Sequence, residues 1–567
     1  MGADRSLPPS CDVLVVGGGP VGLIQTLLLR QLGLDVVVVE QRTEVQSAPA
    51  AHVISARTFE VLRSLGIDMA AVDALCQEPA EGAWVRWVPS LGAPELGSVP
   101  FEGLHEPASE PPSSPHPLRN LSQHRLEPLL RELVPDIHGG IAWRSVDDDG
   151  GGCTSTVEDL GTGERMTIES RFVIGCDGAG SSVRRQLGIE MVGPDELQSF
   201  LSIHVEADLR SMVAEQPATL YWITDPAVQG TFIAHDLSSS WVYMCDFDAA
   251  NDSLDAYDDT AAEALVRRAG RIPDHLSVAV KHVTTWRMTC QVASAFRSGR
   301  CFLVGDAAHR FPPTGGLGLN SGVADAQNLA WKVALVLSGG ASVDLLATYE
   351  AERRPVVERC ANVSLENAFR LIEVWMALEV TDDPIASQAR MDELLSTVEG
   401  RSTVSAAIAN QAEHFDQLGI QLGTVYDAPG AAVIPDGTKP PRPENPVRTY
   451  VPSTTPGARL PHVAVERDGV GVSTLDLVEP GRFLLVTSSA AWAGATLAVD
   501  LPITTVLVGR EVLDPTGGWS AVSGIGEEGA LLVRPDQHVA WRTTEAPADA
   551  AAELAEIVAI LLGRVAP

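Results

Sequence analysis

A chain of 567 residues with 45% apolar side chains and a formal charge of −34 is long enough for two to four domains with real cores. Its acidic field repels phosphates and so argues against nucleic acid or an anionic membrane as partner. No run of about 18 uninterrupted apolar residues occurs, and the eight cysteines, at 11, 76, 153, 176, 245, 290, 301 and 360, show neither CxxC spacing nor a zinc-type His cluster, which excludes a spanning helix and a metal centre and predicts reduced thiols in a cytoplasmic chain.

Residues 12 to 16 read as a buried parallel strand, and Gly17, Gly19 and Gly22 follow in the spacing GxGxxG ahead of the helical run "VGLIQTLLLRQLG". No basic segment precedes this apolar stretch and a glycine turn divides it, so it does not read as an export signal. The first glycine permits the turn, the second lets a pyrophosphate approach the backbone, and the third lets helix and strand pack closely. The positive end of the helix then faces the phosphates. A second β-run, "LDVVVVE", ends at Glu40, 18 residues beyond Gly22, where an acid accepts hydrogen bonds from ribose hydroxyls. This unit predicts dinucleotide binding and leaves NAD and FAD open, because they share the adenosine half.

The segment 81–114 ends in the proline-rich "HEPASEPPSSPHP", which reads as a surface loop or lid. "VDDDGGG" at 146–152 reads as a turn between strands and not as a metal site. From 171, "RFVIGCDGAGSSVRRQLGI" is a short apolar strand running into Asp177-Gly178, with Ser182, Val183 and Arg184 at a helix start. Between 191 and 284, alternating runs such as "FLSIHVEADL", "GTFIAHDL" and "WVYMCDF" predict an antiparallel sheet. Tyr221, Trp222, His235, Tyr243 and Met244 are its candidate pocket residues, although alternation alone leaves open which side faces a ligand.

"GDAAHRFPPTGGLGLNSG", 305 to 322, places five glycines and two prolines in eighteen positions. Val323, Ala326, Ala330, Val333 and Leu337 then share one helical face, closed by "SGG" at 338–340. The loop is therefore a helix N-terminus kept bare of side chains toward something flat. Past 400 come "QLGTVYDAP", a proline-rich stretch and a short α/β tail without cysteine, whose last helix follows 547. Thiol redox chemistry is excluded there.

The order GxGxxG, Asp177-Gly178, Gly305-Asp306 resembles the class A, single-component FAD-dependent aromatic hydroxylases of the phenol and 2,4-dichlorophenol hydroxylase type. The resemblance implies an α/β chain. A Rossmann-like FAD-binding domain of the para-hydroxybenzoate hydroxylase type would be assembled from 1–80, 115–190 and 285–400, with an antiparallel-sheet substrate domain from 81–114 and 191–284. A linker at 401–453 and a thioredoxin-like C-terminal domain at 454–567 would follow.

The same resemblance implies that Asp306 bonds a ribitol hydroxyl, that Asp177 borders the flavin and that Gln123 meets the FAD phosphates. Pro313, with the backbone of Gly318, Leu319 and Asn320, would hold the ring, and those N–H groups would stabilise charge gathered at flavin N1 and the C2 carbonyl. His309 would orient the loop. Pro312, Tyr221, His235 and Tyr243 are the candidate substrate contacts, and His52, matching an active-site acid of the family, is the expected base. One departure stands out: Pro49-Ala50-Ala51-His52 lacks the Arg that commonly holds pyrophosphate, which implies either weaker FAD binding or substitution by Arg42 or Arg57.

The implied reaction has NADPH or NADH reduce FAD, oxygen add at C4a, and the hydroperoxide hydroxylate a small phenolic or hydroxy-heteroaromatic ring in a cytoplasmic homo-oligomer. The alternative is a Baeyer–Villiger or epoxidising monooxygenase acting on an aromatic polyketide. A nicotinamide dehydrogenase or a flavin binder without turnover are the rivals of other classes, and the WxWxIP stretch of flavin halogenases is absent.

Overall fold

Four consecutive valines suit only the middle of a sheet with both faces covered, and the strand Val36–Glu40 pairs in parallel with Ser10–Val16, Val13 opposite Val36. The computed structural model describes residues 7–45, 49–101 and 112–564. Its first sheet runs in the order Arg297–Ser298, Cys301–Leu303, Arg165–Gly175, Ser10–Val16, Val36–Glu40, His138–Gly139. The hairpin Ile141–Asp148/Cys153–Asp159 joins the front half of Arg165–Gly175. The turn between its strands is closed by Asp149, whose Oδ1 accepts from the N–H of Gly151 and Gly152 at 2.7 and 2.8 Å.

The second sheet has seven strands: Ala279–Met288, Gln198–Glu206, Ser240–Asp246, Gly230–Asp236, Leu220–Ile223, Trp84–Val88 and Gly97–Pro100. All neighbours are antiparallel except Leu220–Ile223 and Trp84–Val88. The segment 81–114 thus supplies two strands, and its residues 102–111, most of the expected lid, lie outside the described residues. One face of this sheet buries Leu201, Ile203, Phe232 and Tyr243 against Ala262, Val266 and Ala269 of the helix Asp259–Gly270. The other face looks toward the first sheet's domain.

Residues 401–453, expected as a linker, begin inside the helix Val398–Ala409 and continue through Ala412–Phe415 and Leu418–Leu422. The reason is an i, i+4 apolar pair: Val404 and Ile408 bury against Val85, Trp87 and Val99 of the second sheet. The C-terminal unit holds a four-stranded sheet, order Ile503–Leu507, Phe483–Thr487, Ala530–Val533, Val539–Thr543. Its first pair is parallel and the others antiparallel, and Ala490–Ala495 and Ala550–Leu561 are its helices.

Two long helices, Leu317–Leu337 and Ala347–Ala377, separate this unit from the first sheet. They are joined to it by buried charge. Glu352 accepts from Lys332 Nζ at 2.7 Å and from both terminal nitrogens of Arg534 at 2.8 Å, and Arg534 also holds Asp536. All four side chains are buried. Among the described residues no helix is long and apolar enough to cross a membrane.

Candidate active site

The glycine turn after Ser10–Val16 is shaped by backbone contact. A Cβ on Gly22 would sit 2.0 Å from the Gly17 carbonyl oxygen, so no other residue fits there, whereas a Cβ on Gly19 would meet nothing within 4 Å. Gly19 is the N-cap of the helix Pro20–Gln31, with Pro20 at its first position and no side chain capping it. The first-turn N–H groups therefore point into open space, which is what a pyrophosphate needs. Glu40 stands beside them, its Oε2 accepting from Gly18 N at 2.6 Å and its Oε1 from Arg42 N at 2.9 Å.

Of the two arginines expected to replace the missing phosphate contact, Arg42 is exposed at this end. Arg57 is not available. Its guanidinium is buried and donates to Glu60, Gln327, Gln537 and the Asp536 carbonyl, tying the helix Ala56–Ser64 to the C-terminal unit. Gln123 opens the helix Gln123–Leu133 and its N–H donates to the Ala51 carbonyl at 2.7 Å, which fixes the 49–52 loop against that helix.

Asp177 and Asp306 differ in what they hold. Asp177 Oδ2 accepts from the N–H of Ser182 and Val183 at 2.6 and 3.1 Å and so caps the short helix Ser182–Gln186, while its buried Oδ1 has no partner among the described residues. Arg184 on that helix donates to the carbonyls of Ala179 and Ala307, locking the two Asp-containing loops together. Behind the second loop, Asp325 accepts from Gly305 N and Arg353 Nε and pairs with His309 Nε2 at 2.6 Å. Asp306 alone is exposed in an otherwise buried stretch. Its carboxyl opens into the cleft yet is ringed by protein, and that desolvation raises its pKa against the opposing pull of His309 and Arg310. A hydroxyl-bearing ligand would relieve it.

The helix Leu317–Leu337 begins at Gly316, held at φ +64, and has no side-chain cap and no acid in its first turn. A Cβ on Gly318 would meet nothing within 4 Å. Asn320 acts as a clamp with its side chain: Nδ2 donates to the carbonyls of Val53 and Gly316, and Oδ1 accepts from Ser55 N and Thr58 Oγ1. Only its backbone is left for a ligand. Leu319 is half-buried and Pro313 exposed at this mouth, whereas Pro312 is buried and offers no contact surface. Because Gly318 has ordinary helical geometry and open space, Gly318→Leu is expected to keep the wild-type Tm while weakening flavin binding about tenfold or more, since overpacking a filled site costs about 1–3 kcal/mol. A flavin titration followed by fluorescence quenching checks it.

Across the cleft lies the second sheet, and pairing decides which of its side chains face inward. Tyr221 and Tyr243 do not. Both are on the face covered by Asp259–Gly270, with their hydroxyls donating to the carbonyls of Gln216 and Val228 at 2.9 Å. They support the fold because they share parity with Leu201, Ile203 and Phe232. The opposite parity presents Trp222, Ile233, Met244, Phe200 and Trp286, all half-buried, with Phe200 and Trp286 stacked at 4.7 Å. Trp222 Nε1 is a buried donor without a partner among the described residues. Phe200 and Trp286 escaped the sequence reading, and the alternation "FLSIHVE" would have found Phe200 once Leu201 was assigned to the core.

His52 sits between these two walls. It precedes the strand Val53–Ile54, whose Val53 packs where a Cβ on Gly316 would fall. Its Nδ1 lies 3.0 Å from Asn120 Oδ1. Asn120 is oriented by its other end, where Nδ2 donates to the Ala234 carbonyl at 2.9 Å and to Gln77 Oε1 at 2.5 Å. A carbonyl can only accept, so Oδ1 must face His52, and His52 carries its proton on Nδ1 with a lone pair on Nε2. Burial lowers its pKa to about 4, opposed by the Asn120 bond. His235, 2% exposed, is edge-on to His52 at 5.3 Å between ring centres. Among the described residues no group of acids, cysteines and histidines is placed to hold a metal.

Comparison with known proteins follows the same division. Residues 10–364 match the family model of an FAD binding domain and residues 453–565 that of the aromatic-ring hydroxylase C-terminal domain. The chain is 34% identical over 563 residues to 2,4-dichlorophenol 6-monooxygenase of Delftia acidovorans, covering 94% of each protein. It is 32% identical to tetracenomycin B2 monooxygenase-dioxygenase of Streptomyces olivaceus, covering 97% of this chain and 98% of that one. Among solved structures, the flavin-dependent monooxygenase PieE, in complex with FAD and substrate, superposes with a TM-score of 0.91 at 34% identity over 99% of this chain and all of that one. With a bare-backbone cleft of this kind and relatedness along its whole length, the chain belongs to the FAD-dependent aromatic-ring hydroxylases.

Proposed function

We propose that the protein hydroxylates a phenolic ring held between the N-terminus of Leu317–Leu337 and the aromatic face of the second sheet, with His52 as the base that takes the phenolic proton. Bound FAD would supply the redox chemistry, with NADPH or NADH as the two-electron reductant and O2 giving one oxygen atom to the ring and the other to water. The residues fit that group: two uncapped helix N-termini, an open Cβ position at Gly19 and another at Gly318, and the unpaired, desolvated Asp306. In this reading Gly19 and Gln123 lie along the phosphates, Glu40 accepts from the ribose, Asp306 accepts from the ribityl chain, and Gly318, Leu319 and Asn320 donate backbone N–H groups to the ring. Asp177 contributes by holding its loop.

The observation that carries the substrate side is His52 itself, a half-buried imidazole whose tautomer is set by Asn120 so that its basic nitrogen has no hydrogen-bond partner among the described residues. Phe200, Trp222, Ile233, Met244 and Trp286 supply an apolar wall, and a dry site favours productive turnover over peroxide release. The similarity to 2,4-dichlorophenol 6-monooxygenase favours ring hydroxylation over the Baeyer–Villiger and epoxidising alternative. The C-terminal strand order, one parallel pair followed by two antiparallel neighbours, supports the thioredoxin-like reading of that unit. All eight cysteines are free, which supports a reducing cytoplasm, and the exposed Phe369, Ile372 and Met376 along one helix face support a homo-oligomer.

The test is a panel of phenols, hydroxypyridines and aromatic polyketides assayed for stimulated NADPH or NADH consumption, with mass spectrometry for the gain of one oxygen and peroxide measured in parallel. Failure of every compound to gain oxygen overturns the proposal. A second expectation concerns pH. Because the neutral form of His52 persists down to about pH 4, the acid limb of kcat/KM should fall near that value, below the limb near 6.5 of an ordinary histidine. His52→Ala should lower kcat by about 100-fold and remove that limb, the lower end of what general-base catalysis supplies.

A further inference from the structure

The indole N–H of Trp222 is a donor that the fold leaves without an acceptor. Buried tryptophans normally pair this group, and four others in this chain do: Trp143 donates to Ser155 Oγ at 3.1 Å, Trp331 to Asp536 at 3.2 Å, and Trp241 and Trp492 to the carbonyls of Leu237 and Glu545 at 3.3 and 3.4 Å. Trp222 Nε1 is as well shielded from water and meets no acceptor among the described residues. Its ring plane is fixed, because it lies parallel to the buried ring of Trp87 at 6.2 Å between centres, and Trp87 is itself edge-on against Phe415.

Trp222 stands at one end of the cleft. It packs against the same apolar cluster as Val53, which follows His52 and fills the space over Gly316. Two further donors belong to this end. Ser364 Oγ and Asn367 Nδ2 of the helix Ala347–Ala377 are buried without partners among the described residues; they lie two turns and one turn ahead of Leu371, which packs on that cluster too. Thr314 ties this part of the helix to the loop before Leu317–Leu337 by donating to the Ser364 carbonyl at 2.5 Å. Three groups that can donate lack an acceptor here, so what is missing is an oxygen brought in by a ligand.

Strand register sets the kind of oxygen and its place. Trp222 lies opposite Thr231, Thr231 opposite Met244, Met244 opposite Ser202 and Ser202 opposite Thr284, so the row running from Trp222 across the cleft face carries no charge. A carboxylate brought there would be desolvated without a cation, whereas a carbonyl or hydroxyl oxygen carries no such penalty. Thr231 is also four residues from His235 on the strand Gly230–Asp236, about 13 Å at about 3.3 Å per residue, and His235 is the ring neighbour of His52. His52 and the unpaired donor are therefore too far apart for two oxygens of one benzene ring and suit oxygens at opposite ends of a fused ring system.

We propose that Trp222 is a specificity-determining residue: its indole N–H donates to a neutral oxygen at the end of the substrate remote from the hydroxyl that meets His52. Fused-ring phenols that carry this second oxygen are then preferred over those that lack it. The inference rests on the reading of the cleft as a hydroxylase site. A ligand without the oxygen leaves the donor unpaired, which is the condition under which a polar site rejects an isostere.

The test compares 2-naphthol with 2,6-dihydroxynaphthalene on the FAD-loaded enzyme, with the gain of one oxygen read by mass spectrometry. Trp222→Phe keeps an aromatic ring against Trp87 and removes the donor, and the ratio of wild-type to variant kcat/KM cancels the intrinsic reactivity of each compound. Both compounds should lose rate as the wall thins, and the diol should lose about tenfold more, which is what one hydrogen bond contributes. A second measurement is made on the wild-type enzyme. With isotopically labelled indoles, the Trp222 N–H resonance, identified by its loss in Trp222→Phe or Trp222→Tyr, should move further downfield with the diol than with 2-naphthol. Equal losses for the two compounds, or a Trp222 resonance that responds alike to both, overturn this role and leave the hydroxylase reading standing. Activity on single-ring phenols with none on either fused compound overturns it as well, and failure of every phenol to gain oxygen overturns the hydroxylase reading and this inference with it.

Discussion

An Asp306→Ala variant purifies folded and nearly colourless. Asp306 lies in the short turn Gly305–Ala307, between neighbours that are fully buried, and its carboxyl is the one side chain of that turn open to the cleft. The turn does not depend on it. Gly305 N is held by Asp325, the Ala307 carbonyl by Arg184, and His309 by Asp325, so removing the carboxylate leaves the loop in place. What is lost, on the proposed function, is an acceptor for a ribityl hydroxyl, and a hydrogen bond to a charged group contributes about 1.5–3 kcal/mol, or roughly a 10- to 150-fold weaker Kd for FAD. The ratio of flavin absorbance to protein absorbance, with an unchanged apo-protein Tm, checks this. A variant retaining full FAD through dialysis removes Asp306 from the site.

The second large effect is on stability, in Arg534→Met. Arg534 bridges two helices and the C-terminal unit by donating to Glu352 and Asp536, with its plane also 5.1 Å from the rings of Trp331 and Tyr426. Removing it leaves Asp536 buried without its arginine and Glu352 with Lys332 as its one remaining cation, which costs about 3–5 kcal/mol. The pH dependence carries the sign. Glu352, Asp325 and Glu60 are held down to about 2 by Arg534, Arg353 and Arg459, against desolvation that pushes the other way. Stabilisation from such groups is complete above their unfolded pKa near 4 and is lost as pH falls toward 2, so the wild-type protein should lose stability steeply across that window.

In Arg534→Met the order reverses locally. Desolvation without the arginine raises the folded-state pKa of Glu352, protonation then favours the native state, and the deficit against wild type should shrink from pH 7 to pH 5. Urea denaturation at the two pH values measures it; an equal deficit at both contradicts a buried-charge origin. FAD content should fall with stability, because Glu352 also holds Lys332 and Asn328 of the helix Leu317–Leu337, whose N-terminus is the proposed flavin site.

Much of the cofactor side was legible because backbone-level demands are met by residue types that few substitutes can replace. Gly22 can only be glycine against the Gly17 carbonyl, Asp306 is a lone acid in an apolar and glycine-rich loop, and the apolar run at 36–39 can only be a central strand. The substrate side was read less well. Tyr221 and Tyr243 were plausible from composition, and Arg57 was a reasonable phosphate ligand from its position near 50. Each failed for a tertiary reason: the tyrosines have core parity, and Arg57 is claimed by Glu60 and by residues 480 positions away in the chain.

The sequence by itself determined the nucleotide turn, the two Asp-containing loops, the bare helix start at 316–318 and hence the class of cofactor, since each depends on spacing within one short segment. Only the tertiary structure decided which face of the second sheet meets the cleft and which arginines serve the domain interface. Alternation along a strand is unchanged when the strand is turned over, and contacts between distant segments leave no local periodicity to read.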